Sequence, residues 1–350
     1  MNEKASSRVA DAPDSAAEAL RITVVTDGRA GNVAQALGLA EALGRRGAVR
    51  IEERVVQPRG GAAMLPAQGW HMLGALPGWP AMAVREAGRL LTPLAPSRLV
   101  IGAGRRAAPI VAHLAARDRV QSVQLLSPQM SLEAFSLVAA PAHDGLDAPN
   151  TISTLGSLGR LSPGAIAAAG EALPAGTRAA IEALPQPRVG VLLGGPSGSA
   201  RWSGADAERF LASSAALASE AHGLVVTASR RTDPRLAERL RAALPARALW
   251  LWDGTGANPY PGLLSLVDAV LVTADSVNMA SEAAASGLPV HVFGISALGA
   301  KLQAFHAALE VQGAARSFRG KIEQWRYAPL LEADRVAGIV AERLLRGWPA

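Results

Sequence analysis

Thr273, Asp275, Ser276, Asn278 and Glu282 crowd the junction between an apolar run at 267–272 and a stretch of small helix-forming residues. Gly287 and Pro289 follow, and then a second apolar run at 290–293. The order reads as strand, helix, turn, strand. In an open α/β sheet, ligands bind beyond the carboxyl ends of the strands, where such a junction lies. A helix N-terminus there leaves backbone N–H groups free for an anion. Glu282 lies one turn beyond Asn278, so both share a helix face. A carboxylate so placed can accept hydrogen bonds from a ribose diol, although a solvated helix glutamate would look the same.

Four more loops share one design: an apolar strand, then Gly or Ser with Arg or Asn, then a helix. One holds Asp27, Gly28, Gly31 and Asn32; a second holds Gly102, Gly104 and Arg105. The third holds Gly194, Gly195 and Ser197, and the fourth Ser229, Arg230, Arg231 and Thr232. Glycine lets backbone approach a phosphate closely, and arginine adds a planar fork that grips two phosphate oxygens. Glycine also follows parallel strands simply because the turn is tight, so the inference rests on the four loops together. None fits the pattern Gly-x4-Gly-Lys-Ser/Thr, and no clean Gly-x-Gly-x-x-Gly occurs, which disfavours ATP hydrolysis and NAD binding.

Other chemistries are poorly provided for. The chain has no cysteine, which excludes disulfides, thiolate catalysis and cysteine-held metal sites. The histidines are His71, His113, His143, His222, His291 and His306, with no metal-ligand spacing on one helix. There is no Asp-x-Asp, so no metal and no other cofactor is expected. There is no Gly-x-Ser-x-Gly elbow for a serine hydrolase. His143 follows a strand and could serve as a general base, though most loop histidines are inert. Trp202, Trp250, Trp252 and Trp325 read as packing residues rather than a sugar platform.

The elements that must position these groups follow from periodicity. Strands are expected at 21–26, 49–56, 99–101, 120–126, 136–140 and 151–155, with helices at 33–43, from 106 to about 117, and at 163–184. Residues 58–96 read as loops with one or two helices. Pro185-Gln-Pro187 reads as a linker. The alternation then restarts with strands at 188–193, 224–228 and 248–252. A helix opening on the capping pair Ser203 and Asp206 runs to about 221, another spans 234–243, and later ones 302–309 and 334–345. Strands alternating with long helices imply parallel sheets. The fold class is therefore α/β, with two Rossmann-like domains facing a cleft. The expected organisation is a disordered tail at 1–18, an acceptor-side domain at 19–184, a nucleotide-side domain at 185–325, and at 326–350 a C-terminal helix packing back on the first domain.

The 350 residues carry a formal charge of +6, and lysine occurs only at Lys4, Lys301 and Lys321. The arginines are scattered, in runs of no more than two and without aromatic interleaving, so nucleic acid is not an expected partner. The arginine and alanine bias fits a GC-rich bacterial genome. Residues 1–18 lack the apolar core of a signal peptide, and no uncharged apolar run is long enough to span a bilayer. A cytoplasmic chain, soluble or peripheral to a membrane, is the expectation.

Several segments, in order, resemble one family. They are Thr-Asp-Gly-Arg-Ala-Gly-Asn-Val-Ala-Gln-Ala-Leu-Gly-Leu-Ala at 26–40, Ser-Arg-Arg-Thr at 229–232, Asn-Pro-Tyr-Pro-Gly-Leu-Leu at 258–264 and Thr-Ala-Asp-Ser-Val-Asn-Met-Ala-Ser-Glu-Ala at 273–283. All resemble the "elongated mitochondria" fission-factor family, which has many bacterial members. The resemblance brings Gln35 and Asn258 into the candidate site. In plants the family is associated with recruiting fission machinery, and bacterial members are loosely labelled nucleoside-diphosphate-sugar enzymes.

A looser resemblance is to GT-B glycosyltransferases, especially those that add N-acetylglucosamine to lipid-linked peptidoglycan precursor. It implies that Glu282 holds the ribose and that Gly194, Gly195, Ser197 and Arg230 contact phosphates. It places Asp27, Asn32 and Arg105 toward an acceptor, which would be lipid-linked. The first loop of those enzymes ends in His where this chain has Asn32, which cannot act as a base near neutral pH. Asp27 or His143 would then take that role. The expected function is metal-independent glycosyl transfer from a nucleoside-diphosphate sugar. The alternatives are a non-catalytic adaptor that keeps the fold, and a sugar-nucleotide epimerase.

Overall fold

The computed structural model describes residues 19–348 except 74, 75, 77, 95, 96, 253, 256 and 257. The expected tail at 1–18 lies outside the described residues. The first half of the chain runs β1 (Leu20–Thr26), α1 (Ala30–Gly44), β2 (Val49–Val55), α2 (Ala67–Met72), α3 (Ala87–Leu90), β3 (Leu99–Ala103), α4 (Ala108–Asp118), β4 (Gln121–Leu125), β5 (Leu137–Pro141), β6 (Thr151–Thr154), α5 (Pro163–Glu171) and α6 (Ala175–Glu182). The second runs β7 (Arg188–Leu193), β8 (Ala200–Arg201), α7 (Gly204–Ser219), β9 (Gly223–Ala228), α8 (Pro234–Ala243), β10 (Leu249–Leu251), α9 (Tyr260–Leu263), β11 (Ala269–Thr273), α10 (Val277–Ala285), β12 (Val290–Phe293), β13 (Ala297–Leu298), α11 (Ala300–Val311), β14 (Ala315–Ser317) and α12 (Glu332–Leu344).

Two six-stranded sheets result, in the orders β2-β1-β3-β4-β5-β6 and β10-β9-β7-β11-β12-β14. Every pairing in both is parallel. The central strands β3, β7 and β11 are apolar because helices cover both faces, whereas the edge strand β2 is charged and exposed. In β3, Leu99 and Ile101 pack toward α1 and α12, while Val100 packs toward α4. Each sheet reverses its strand order once, between β1 and β3 in the first and between β7 and β11 in the second. Those switch points are where an open sheet leaves a crevice. The loops after all four strands are the glycine-rich ones singled out above, together with the Thr273 to Glu282 segment.

Three details differ from the sequence reading. Helix α1 begins at Ala30, so Gly31 and Asn32 sit in its first turn rather than in a loop. The single helix expected at 163–184 is broken at Pro174, the residue that caps α6, because proline has no N–H for a helix interior. The loop after β7 runs into β8, which pairs with β13, before the helix begins.

The packing also divides the chain differently from a boundary at 184. Ile166 of α5 lies in the cluster under β11 and α10, and Leu173, Ile181 and Leu184 pack against Val225 and Val267. Both helices therefore belong to the second sheet, because their apolar faces are completed there. Helix α12 returns to the first sheet, burying Val336, Ala337 and Val340 beside Leu39 and Leu43 of α1.

Candidate functional site

The loop after β7 is held shut by its own neighbours. Gly194 N donates to Thr273 Oγ1 at 2.9 Å, and Gly195 N donates to Asp275 Oδ2 at 2.8 Å. Asp275 is fully enclosed; it also accepts from Trp202 Nε1 at 3.3 Å and pairs with Arg231 at 3.5 Å. Arg231 Nη1 donates to the carbonyls of Gly195 and Pro196, and Thr232 Oγ1 to those of Leu193 and Gly194. Ser229 Oγ lies 3.1 Å from Thr232 Oγ1.

The two glycines are required for close packing. A Cβ on Gly194 would lie 2.0 Å from Asp275 Oδ2, and one on Gly195 would lie 2.0 Å from the Arg231 carbonyl oxygen. This corrects the expected roles. The N–H groups of Gly194 and Gly195 serve the fold, as do Asp275, Arg231, Thr232 and Thr273, and do not form an open phosphate cradle. The groups that remain outward are Ser197 and Arg230. Arg230 is exposed and makes no ion pair among the described residues.

The start of α10 is more open. Ser276 caps it by accepting from Met279 N at 3.3 Å, leaving the N–H groups of Val277 and Asn278 at the helix mouth. The Asn278 side chain reaches across to the first domain, where a Cβ on Gly31 would lie 2.6 Å from its Nδ2. Gly31 is in the first turn of α1, whose cap Arg29 supplies no side-chain bond. Two helix N-termini thus meet across the cleft.

The wall contributed by the first domain is also largely self-satisfied. The Asp27 side chain is 3% exposed. Its Oδ1 accepts from Asn32 Nδ2 at 2.8 Å and from Arg29 N at 3.2 Å. Asn32 in turn lies over Gly104, where a Cβ would come within 2.4 Å of Nδ2; the glycine has φ +84°. Gly28 also has positive φ and touches Val55. Gly102 lies inside β3 under Val111 and Gln124, and Gln35 is buried with its amide turned to the Gly31 carbonyl. These two are packing residues rather than contacts for an acceptor. Arg105 is exposed, with a marginal contact to Gln129 at 3.5 Å.

His143 sits in a 3-10 turn after β5, half-buried. Burial holds its pKa below the ordinary histidine value, against the pull of Asp144 and with help from Lys301. Asp144 accepts from Lys301 of α11 at 2.5 Å, a second bridge between the two halves. Asn258 lies apart from the phosphate loops. Its Oδ1 accepts from Tyr260 N at 3.1 Å, just ahead of the short α9, and it borders a cavity of about 570 Å³ beside Trp250 and Trp252.

Glu282 faces the loop after β6, where a Cβ on Gly159 would lie 3.2 Å from its Cγ. Burial pushes its pKa up to about 7, and the nearby Tyr260 hydroxyl and Arg160 guanidinium keep it from rising further. The Tyr260 hydroxyl approaches the carboxyl but completes no well-formed hydrogen bond of its own. Next to Glu282, Ser281 Oγ accepts from Ser157 N at 3.0 Å, over Gly156 with φ +83°. Sequence reasoning missed this loop, although two glycines within five residues of a strand end were the available signal. It also gave no role to His306 of α11. His306 Nε2 donates to the Ala274 carbonyl at 2.8 Å, and its Nδ1 is buried without a partner. Burial holds its pKa down, so Nδ1 carries a free lone pair beside the β11 loop. No cluster of metal-ligating side chains occurs among the described residues.

The comparisons bear on this geometry. A family model described as mitochondrial fission ELM1 matches residues 30–344. The mitochondrial fission protein ELM1 of Arabidopsis thaliana is 30% identical over 281 residues, which are 71% of this chain and 65% of the plant protein. The chain thus spans slightly less than two thirds of that relative's length. Among solved structures, the UDP-GlcNAc 2-epimerase of Methanocaldococcus jannaschii superposes with a TM-score of 0.51 at 12% identity, covering 92% of this chain and all of that one. S. aureus MnaA in its UDP co-structure gives 0.51 at 12% identity, over 93% and 89%. The pair of sheets is GT-B-like.

Proposed function

The chain belongs to the mitochondrial fission ELM1 family, and from that premise we propose that it binds a nucleoside-diphosphate sugar in the cleft between its two sheets. The observation that carries this reading is the meeting of α1 and α10, whose N-termini converge where Asn278 touches Gly31. Each helix mouth offers unpaired N–H groups and the positive end of a dipole. A diphosphate between them would receive donors from both domains, and Arg230 and Arg29 stand exposed to complete its neutralisation. Glu282, one turn further along the same face of α10, would accept hydrogen bonds from a ribose diol. UDP in the co-structure of a fold relative agrees with this ligand class, though at 12% identity that likeness speaks for the fold alone.

The reaction would be metal-independent glycosyl transfer. An acceptor oxygen forms a bond to the anomeric carbon as the bond to the diphosphate breaks. The two helix mouths and arginines hold the leaving charge in place. The acceptor proton passes to His143, which burial keeps neutral and able to take it. Asp27 is a poorer base, because Asn32 and Arg29 already occupy its carboxylate. That occupancy supports a second reading, in which the chain binds the nucleotide sugar without turning it over and serves as an adaptor.

Thermal unfolding with UDP, ADP, GDP and UDP-GlcNAc tests the binding. Ligand at a hundredfold over Kd stabilises by about 2.7 kcal/mol, a rise of roughly 4 °C for a chain of this size. The rise is expected for at least one nucleotide and reduced in Glu282→Ala. No rise with any member of the panel ends the reading. Release of free nucleoside diphosphate from the sugar nucleotide, lost in His143→Ala, would separate the enzyme from the adaptor.

A further inference from the structure

Residues 57–106 join β2 to β3 and extend through the first strand-end loop of the β3 switch. They carry six arginines against one acid, Glu86, a net charge of +5 in a chain whose formal net charge is +6. Arg59, Arg85, Arg89 and Arg106 are all exposed, and none forms an ion pair among the described residues. An antiparallel bridge between Pro58 and Val84 sets Arg59 beside Arg85.

The same segment exposes apolar side chains that its fold does not need. Met64 is 89% exposed, Met72 80% and Met82 62%, and Leu65 and Leu76 are exposed as well. Elsewhere among the described residues the exposed large apolar side chains are Ile51 and Val55, both on the adjoining edge strand β2, and Val311. Beneath the methionines the segment is anchored. Trp70 and Trp79 pack with centroids 4.9 Å apart and rings tilted by 57°, Trp70 Nε1 donates to the Ala62 carbonyl, and Arg54 ties the strand to the carbonyls of Leu90 and Thr92. Met64 and Leu65 also border a cavity of about 200 Å³ with Trp70, Arg105 and Arg106 at its other side. Met64 and Leu65 therefore share a surface with the guanidinium groups of Arg105 and Arg106 next to the Gly104 loop, and Met72 and Met82 are exposed on the same segment.

We propose that this surface docks the chain on a lipid bilayer bearing anionic headgroups, with Met64, Met72 and Met82 entering the acyl boundary. The charge selects the occupant. A second copy of the chain would bring the same arginines against themselves, whereas an anionic bilayer neutralises them. Interfacial anchoring combines buried apolar area with attraction of basic residues to anionic lipid, and both features are present together. Arg105 belongs to the surface and to the cleft wall alike, so docking sets the cleft mouth against the membrane. The inference does not rest on the nucleotide reading, since none of these methionines borders the nucleotide loops.

Co-sedimentation of the full chain with vesicles tests it, comparing phosphatidylcholine alone with phosphatidylcholine containing about one third phosphatidylglycerol. The wild type is expected to bind the anionic vesicles, to ignore the neutral ones, and to be released by high salt. The variant Met64→Asp/Met72→Asp/Met82→Asp should lose about 30-fold or more in partitioning, because three apolar insertions are removed. It should unfold at the wild-type temperature, since all three side chains are exposed. Val311→Asp, on a distant exposed apolar residue, should bind as the wild type does. The proposal is overturned if the wild type ignores anionic vesicles, if the triple variant binds them equally, or if the methionines instead drive self-association that vesicles do not compete away. UDP-dependent thermal shifts in the same variants report the nucleotide site separately.

Discussion

Asp206 and Glu282 are two helix carboxylates of the second domain, both largely withdrawn from water, and their surroundings drive them in opposite directions. Burial works against the charge of Asp206, but hydrogen bonds from Ser296 and Ser203 outweigh it and hold the acid at about 2. Both hydroxyls and both backbone N–H groups of those serines donate to it, and Arg209 adds a fifth contact. Glu282 receives no well-formed donor, and burial lifts it to about 7. The difference separates a carboxylate held by five donors from a carboxyl whose burial outweighs Tyr260 and Arg160. A buried carboxyl with so little compensation is costly to the folded chain when charged, and such perturbed groups concentrate at functional sites.

The largest effect is expected at the satisfied acid. Asp206→Ala removes the capping box of α7 and leaves the Ser296 N–H and hydroxyl without their acceptor. Lost caps and orphaned buried donors sum to about 3 kcal/mol. Urea unfolding at neutral pH measures it. The wild type also draws stability from this acid above pH 3.8, which fades as the pH falls toward about 2. The variant should lack that acid limb. A loss below about 1 kcal/mol would mean that the hydrogen bonds of Asp206 do little for the fold.

The same contrast explains what the sequence conveyed. Ser203 and Asp206 stand three residues apart, so the capping pair was readable as a local pattern, and the alternation of apolar runs with helices gave both sheets. Ser296 lies ninety residues beyond Asp206, and nothing local signals that its N–H and hydroxyl complete the acid. Distance in the chain also misled the reading of Gly194 and Gly195. Their glycines looked like a phosphate cradle, but Asp275 and Thr273, some eighty residues on, had already taken the N–H groups. Glu282 was legible as a polar residue at a helix start. Its enclosure by Tyr260 and by the adjacent Gly159 and Arg160 comes from two distant segments and was not. Helices α5 and α6 were read with the first domain because they precede the Pro185–Pro187 break, yet their apolar faces complete the second sheet. Patterning records which face of an element is apolar, and only packing decides which sheet that face meets.

Glu282 supplies the next effect, of opposite sign. Its folded pKa of about 7 lies above the ordinary 4.5. The folded chain therefore holds a proton that the unfolded chain has lost, so the associated stability is complete below about pH 4.5 and disappears as the pH rises to about 7. Glu282→Gln keeps the shape and removes the titration. Discounted for its partial access to solvent, the variant should be about 1–2 kcal/mol more stable than the wild type near pH 8 and equal to it near pH 4. Urea midpoints at the two pH values measure the change. A difference that is the same at both would place the wild-type carboxyl in an ordinary solvated setting and remove the contrast with Asp206.

The smallest effect on stability sharpens the comparison at a third position. Arg231 and Arg230 are neighbours in one loop with unlike surroundings. Arg231 is tied to Gly195, Pro196 and Asp275, whereas Arg230 is exposed and unpaired among the described residues. Arg230→Ala should therefore change unfolding by no more than about 0.5 kcal/mol, the usual range for a surface side chain. If Arg230 meets a ligand phosphate, however, the variant loses a charge-assisted hydrogen bond of about 1.5–3 kcal/mol, which is about tenfold or more in affinity for the nucleoside diphosphate. Calorimetric titration with UDP, or with whichever diphosphate stabilises the wild type, reads this directly. Unchanged stability with weakened binding assigns Arg230 to the ligand and leaves the loop around it to the fold. Unchanged affinity would move the phosphate toward the α1 mouth, leaving Arg29 and the N–H groups of Ala30 and Gly31 to hold it.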